Sequence, residues 1–360
     1  MNNDYSFLGD NITHWTQSIR RGYAMSFLLS SFHDTGVFEL LKDLSPKSSD
    51  EISKKLNLNK EILESGLNFL ANADNSIIKD KNKNYQMTEI GKKRIFSDQA
   101  MAMALGAVGA YHVLFTNYTK TLKNELTYGK DFIRDGRLVA KSSVLTGRAN
   151  YPWVAEKLAE LKVETVVDLG CGSGDIIIDF CKREKGFKGV GLDIDPTAIE
   201  VARENVIKSN LQDRIDLITG DMLDPKTYSH KISSKGEKVA FNAIMALHEF
   251  LIDGDIAVIN VLKKMKKEFP GSFFILGEFN KCSDDEFSNI PIYERMHMLF
   301  YQEIIHGLTD QGLASLEKWK EIFEKADVEL VEYKKDFPFK FIKETIKSST
   351  TPPFSLSKNV

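Results

Sequence analysis

The sequence predicts an α/β domain built on a parallel sheet, preceded by a helical unit that contains a winged helix. Three observations carry this expectation. From Val163 onward, apolar runs alternate with helical segments, the pattern of strands joined by crossover helices. The run VVDLGCGSGD, Val166–Asp175, sets Gly170, Gly172 and Gly174 at a strand-to-helix turn, where glycine allows a tight turn and a close backbone approach to a ligand. The first hundred residues show no such alternation and instead carry aliphatic and aromatic residues at mixed spacings of 3 and 4, the period of helices.

At 360 residues the chain exceeds one ordinary core, so two domains are expected, 1–140 and 141–360. In the first, Asp10–Leu41 reads as helix, and Pro46 with Ser48 and Ser49 breaks it. A short helix, a turn, a second helix and two strands around the polar turn Asp80–Asn84 follow, which is the pattern of a winged helix. The second helix, from about Lys60 to Ala71, carries Glu61 and Glu64 and no arginine. It therefore reads as docking or dimerisation surface rather than a DNA reader. A winged-helix regulator that senses a cofactor is the competing class, and it requires salt-sensitive DNA binding. A net charge of −3 gives no footprint for nucleic acid or anionic membrane. The apolar stretch Ala100–Phe115 is shorter than the roughly 18 to 20 residues of a membrane span and reads as a buried helix. Three cysteines, Cys171, Cys181 and Cys282, without paired spacing, and an N-terminus without a signal-peptide pattern, fit a reducing cytoplasm.

In the second domain the expected elements are the strand ETVVDLG, a helix over Gly174–Lys185, the strand KGVGLDI, a helix over Pro196–Ser209 and the strand RIDLITGD. The strand VAFNAIMAL, a helix over Asp255–Glu268 and the strand SFFILGEF complete the set. Asp193 lies nineteen residues beyond Gly174, where a carboxylate can accept both ribose hydroxyls of a nucleoside. A nicotinamide dinucleotide and S-adenosylmethionine both fit that geometry. Asp168 and Asp175 flank the glycines, which disfavours a pyrophosphate and suits a cofactor bearing an ammonium and a sulfonium.

The segments D-L-G-C-G-S-G, L-D-I-D-P and G-D-M (Gly220–Met222), in that order, resemble the class I S-adenosylmethionine-dependent methyltransferases. The helical first half followed by this Rossmann-like half is similar to the small-molecule O-methyltransferases, which dimerise through their N-terminal domains. The resemblance implies a mostly parallel seven-stranded sheet and a homodimer acting on a small molecule. It implies cofactor contacts from Asp168, Gly170, Gly172 and Gly174 around the methionine part, Asp193 with Ile194 at the ribose, and Asp221 with Met222 at the adenine.

The stretch IMALHEFL, Ile244–Leu251, reads as a buried strand that delivers His248 and Glu249 at its end. In the O-methyltransferases a histidine in this place is the general base for a substrate hydroxyl. His248-Glu249-Phe250 keeps the histidine and departs from the family's His-Asp-Trp-like neighbours. A second resemblance is to the metal-dependent 2-oxo acid C-methyltransferases. That branch pairs such a histidine with one on a later helix, matched here by His297 in PIYERMHMLFYQEIIHGLTDQG, and sets an acidic residue after the first. It implies an iron or zinc ion on His248 and His297, a metal-bound enolate methylated at C3, Glu249 as base or as orienter of His248, and Arg134 on the substrate carboxylate, with Arg137 and Arg148 as competitors. His306, nine positions past His297, falls half a revolution away on a straight α-helix and is left out. Tyr111, Phe115 and Tyr301 would favour an aromatic side chain on the substrate, and Glu303 or Asp310 a guanidinium. Metal-free O-methylation with His248 as base is the alternative.

Overall fold

The computed structural model describes residues 12–148, 151–232, 236–309, 311–335 and 341–347, and Asp310 lies outside them. The chain divides into two compact units, Met1–Thr146 and Gly147–Val360. The division falls six residues beyond the expected 140/141, because the helix Gly136–Gly147 runs through that point.

In the N-terminal unit, the helix Ile12–Asp34 leads to the expected winged helix. Ser48 caps the helix Ser49–Leu56 in a capping box with Glu51, and Asn59 caps Lys60–Ala73 by accepting from Ile62 N at 3.0 Å. These caps satisfy orphan amides of the first turns and fix where each helix begins. The strands β1 (Lys47–Ser48), β2 (Ile78–Lys81) and β3 (Asn84–Met87) form a small antiparallel sheet in the order β1-β3-β2. Glu64, a reason for discounting a DNA reader, is held by Lys83 at 2.7 Å and Ser49 at 2.8 Å.

The apolar stretch forms part of one helix, Asp98–Leu122, which is long and apolar enough to cross a membrane by length and composition. Its middle, Met103–Ala110, is a π-helical segment whose Ala104, Leu105, Gly106, Ala107 and Ala110 are buried, and it packs on Ile12–Asp34. Close packing of small residues follows the sequence reading. The length does not, because Asp98 and the polar turn after Phe115 stay helical.

Among the described residues the C-terminal unit holds seven strands: β4 (Thr165–Leu169), β5 (Lys188–Asp193), β6 (Ile215–Thr219), β7 (Val239–Ile244), β8 (Phe273–Phe279), β9 (Glu329–Lys335) and β10 (Phe341–Lys347). Their order is β6-β5-β4-β7-β8-β10-β9, parallel from β6 to β8 and antiparallel across β10 and β9. Alternate residues serve two cores. Val167, Leu169, Val190, Leu192 and Phe241 face one; Val166, Ala240, Phe273 and Ile275 face the other. Burial on both faces explains why these strands read as continuous apolar runs, with about 1.5–3 kcal/mol from each buried large side chain. The carboxyl ends of β4, β5, β7 and β8 gather the residues of the site, as open α/β sheets do.

Candidate active site

The glycine turn after β4 adopts left-handed backbone, with φ of 74° at Gly170, 53° at Gly172 and 79° at Gly174. Side chains other than glycine are strained there. A Cβ on Gly172 would meet nothing within 4 Å, so the loop presents bare backbone to open space. Across the turn, Asp193 at the end of β5 accepts from Gly172 N at 2.8 Å and from Asp195 N at 2.9 Å. Both carboxylate oxygens keep lone pairs for hydroxyl donors. Ile194 is 68% exposed beside it. Asp221 fixes the next loop by accepting from Leu223 N at 2.8 Å, and the Met222 methyl lies 3.4 Å from where a Gly170 Cβ would stand.

Asp168, near the end of β4, is buried and accepts from Asn242 Nδ2 at 2.7 Å through Oδ1. Its Oδ2 has no hydrogen-bond partner among the described residues. Burial pushes its pKa up to about 7; the Asn242 bond opposes that rise and the charge of Asp193 adds to it.

At the neighbouring strand end the backbone departs from the expectation. β7 stops at Ile244, and Met245 takes a left-handed conformation (φ 56°) with its N–H donating to Gly277 O at 2.6 Å. His248 therefore sits in a 3₁₀ helix, Leu247–Asp253, rather than on the strand. It is 4% exposed, and its Nδ1–H donates to Glu278 Oε2 at 2.6 Å, while Glu278 Oε1 accepts from Leu247 N at 2.8 Å. The carboxylate fixes the ring and leaves Nε2 as its basic nitrogen. Glu278 went unremarked in the sequence; its signal is a carboxylate inside the wholly buried strand FFILGEF, where an ionised group requires partners.

Glu249, expected as base or orienter, is exposed and accepts from Gln311 Nε2 at 3.1 Å. The orienting carboxylate is Glu278.

His306, left out of the site by the straight-helix argument, stands against His248. Their ring centroids are 5.4 Å apart, and both rings contact Phe279. The reason is a π-helical segment, Phe300–Ile305, which turns less per residue than an α-helix and brings His306 round toward the site. His306 Nδ1–H donates to Tyr301 O at 2.7 Å. His297 lies two rings farther along: its ring contacts Tyr301, which stacks on Phe279. It lines a cavity of about 20 Å³, the size of one water, with Tyr301, Met298 and Leu313. Burial lowers its pKa.

Residues 161–327 match the family described as "Methyltransferase domain". The C-terminal unit carries a class I, S-adenosylmethionine-dependent methyltransferase domain. The 2-ketoarginine methyltransferase of Streptomyces arginensis is 23% identical over 320 residues, covering 86% of this chain and 87% of that protein. Methyltransferase ungE' of Aspergillus campestris (strain IBT 28561) is 23% identical over 237 residues, 61% of this chain and 64% of that protein, so the match spans under two thirds of its length. The structure of human N-acetylserotonin methyltransferase in complex with SAM superposes with a TM-score of 0.65 at 15% identity, covering 94% of this chain and 98% of that one. At that identity the likeness is one of fold.

Three observations in this domain fit the expected cofactor: the buried Asp168 Oδ2 without a partner among the described residues, the open backbone at Gly172, and the Asp193 carboxylate held beside that backbone at the end of β5. The metal expectation fares differently. Among the described residues no group of three or more His, Cys, Asp or Glu side chains is gathered to hold an ion. The ring against His248 is His306 rather than His297. The iron or zinc ion expected on His248 and His297 is without support in these side chains, since the aromatic row between the two rings passes through Phe279 and Tyr301.

In the N-terminal unit, Arg134 donates to Tyr111 Oη at 3.1 Å with its guanidinium carbon 5.7 Å from the Tyr111 ring centroid. Its competitor Arg137 is paired with Asp34 at 3.0 Å and Asp135 at 3.6 Å, and Arg148 is exposed.

The 3₁₀ helix carrying His248 is held from behind by Gly312, where an added Cβ would stand 2.4 Å from Leu251 Cβ and 3.1 Å from its carbonyl carbon. Backbone cannot yield as a side chain can. Gly312→Ala is expected to destabilise the protein by about 1–3 kcal/mol, seen as a lower midpoint in thermal or urea unfolding, and to reduce methyl transfer in step.

Proposed function

We propose that the chain methylates a small molecule at a carbon made nucleophilic by proton removal, C3 of a 2-oxo acid, with S-adenosylmethionine as donor. The observation that carries this reading is the buried His248–Glu278 hydrogen bond at 2.6 Å beside the His306 ring. The substrate class is supported by the 2-ketoarginine methyltransferase, similar over 86% of the chain.

S-adenosylmethionine, when bound, supplies an electrophilic methyl group on a sulfonium. Asp168, Gly170, Gly172, Gly174, Asp193, Ile194, Asp221 and Met222 would hold it. His248 Nε2 takes the proton from C3, and the C–H electron pair passes into a C2–C3 double bond as charge moves to the keto oxygen. Glu278 stabilises the imidazolium that results, because its carboxylate already faces Nδ1–H. The cofactor held by those residues would supply its methyl group to that carbon, its sulfonium leaving as a neutral thioether.

Homodimerisation through the N-terminal unit belongs to the same reading. Ile12, Trp15, Ile19 and Tyr23 form a stripe on the helix Ile12–Asp34, each more than half exposed. Such a stripe supports a helix partner.

The test is incubation with methyl-¹³C S-adenosylmethionine and, in parallel, 2-ketoarginine, phenylpyruvate and a panel of phenols, followed by NMR of the product. A methyl doublet coupled to a C3 proton is expected from a 2-oxo acid. A methoxy singlet from a phenol would replace this reading with O-methylation by the same His248 base.

A further inference from the structure

The cofactor end of the sheet contains a pair of buried side chains whose hydrogen-bonding capacity exceeds what the protein satisfies. Asp168 on β4 and Asn242 on β7 are register partners in the parallel ladder. Asp168 is 2% exposed and Asn242 wholly buried. After the amide donates to Asp168 Oδ1, two acceptors of this pair remain without a partner among the described residues, Asp168 Oδ2 and Asn242 Oδ1. Buried acceptors left in this way are rare and call for a donor from outside the protein. Alternation along the strands turns both side chains to the same face, opposite Val167 and Phe241 and shared with Val166 and Ala240.

A donor that serves two acceptors of which one is a carboxylate needs at least two hydrogens and gains from a positive charge. A primary ammonium has both. Resting on the methyltransferase reading above, we propose that Asn242 is a further cofactor-binding residue, sharing the α-ammonium of S-adenosylmethionine with Asp168, and that seating this ammonium expels a proton from the pair.

The surroundings set the sign. Asp193 at the end of β5 is the nearby charge that favours the protonated Asp168. Cys171 after β4 and Tyr151 on the helix Tyr151–Glu160 also face Asp168, and burial pushes both of their pKa values far up, so they stay neutral. Asp175, Asp179 and Arg148 act on Tyr151. With its pKa near 7, Asp168 is protonated in the acid range and must ionise to receive the ammonium. Affinity then falls as pH drops through that value, by about tenfold per pH unit well below it.

Isothermal titration calorimetry tests this with two probes: S-adenosylhomocysteine, which keeps the ammonium, and methylthioadenosine, which keeps the nucleoside and lacks the amino acid. Between about pH 7 and pH 5.5 the first is expected to bind about tenfold more weakly, with proton release detected by comparing buffers of different ionisation enthalpy. The second is expected to show no such change. Asn242→Leu is expected to weaken S-adenosylhomocysteine about tenfold or more while leaving methylthioadenosine unchanged, which also shows that the variant is folded. Wild-type S-adenosylhomocysteine affinity that stays flat with pH and releases no proton would overturn the inference, leaving the pair to a buried water. Binding of neither probe at any pH would instead overturn the cofactor reading on which it rests.

Discussion

Replacing His248 with alanine is expected to lower kcat by about 10²–10⁴-fold while leaving S-adenosylhomocysteine affinity within about twofold. The expected split follows from where the residue stands. His248 follows β7 and its Nδ1 is bound to Glu278, whereas the residues proposed to hold the cofactor lie on β4 and its turn, at the end of β5, in the loop after β6 and at Asn242 within β7. Loss of a base removes stabilisation realised only in the transition state, so kcat falls with little change in ground-state binding. Glu278→Gln should fall between the variant and the wild type. An amide can still accept from Leu247 N, yet it brings no charge to stabilise the imidazolium and can present an N–H to Nδ1, reversing the tautomer. Glu278→Ala is a harsher change, since the amide of Leu247 and the Nδ1 of a buried ring both lose their acceptor. It is expected to destabilise folding by about 1–3 kcal/mol as well. Steady-state kinetics with labelled cofactor, set beside calorimetric binding, separates these outcomes. A His248→Ala enzyme that retains wild-type turnover would remove the imidazole from the mechanism.

The sheet was legible because a strand buried on both faces has few ways to be written. TVVDL, KGVGLD and FFILGEF are buried over all or most of their length and are predominantly apolar. The winged helix was legible for a different reason: Ser48, Asn59 and the Asn82–Lys83 turn are local signals that act within a few residues. The catalytic end was harder to read because its geometry comes from departures from regular structure. Met245 turns the chain out of β7 through a left-handed conformation that its side chain does not favour. The π segment Phe300–Ile305 alters the phase of a helix whose spacing, counted at 3.6 residues per turn, had set His306 aside. Glu278 escaped notice for a third reason: an isolated acid in an apolar strand acquires meaning only when β8 lies beside β7 and brings it to His248. Periodicity finds the elements, while partnerships thirty or more residues apart depend on the sheet order.

Asp168→Asn should make the cofactor-free protein more stable at neutral and alkaline pH while weakening its hold on S-adenosylhomocysteine. The wild-type carboxyl has a folded pKa of about 7 against 3.8 for the ordinary group. A folded pKa raised in this way means that proton binding favours the folded state. The contribution is fully present below pH 3.8, declines as the unfolded chain ionises above it, and is lost once the pH passes about 7. Above that point the wild type folds around a buried, incompletely partnered charge. Roughly three pKa units correspond to about 4 kcal/mol, an order-of-magnitude figure for what a neutral isostere would recover. The gain should shrink steadily toward pH 4, which distinguishes it from a packing effect that would be the same at every pH. Chemical denaturation of both proteins at pH 5, 6, 7 and 8 without cofactor gives the comparison directly. A stability difference that does not change with pH would mean that Asp168 is ionised throughout, already matched by a donor such as an internal water. A difference that grows with pH, together with weaker S-adenosylhomocysteine binding, would show a carboxylate kept at the expense of the empty protein's stability because an ammonium arrives to match it.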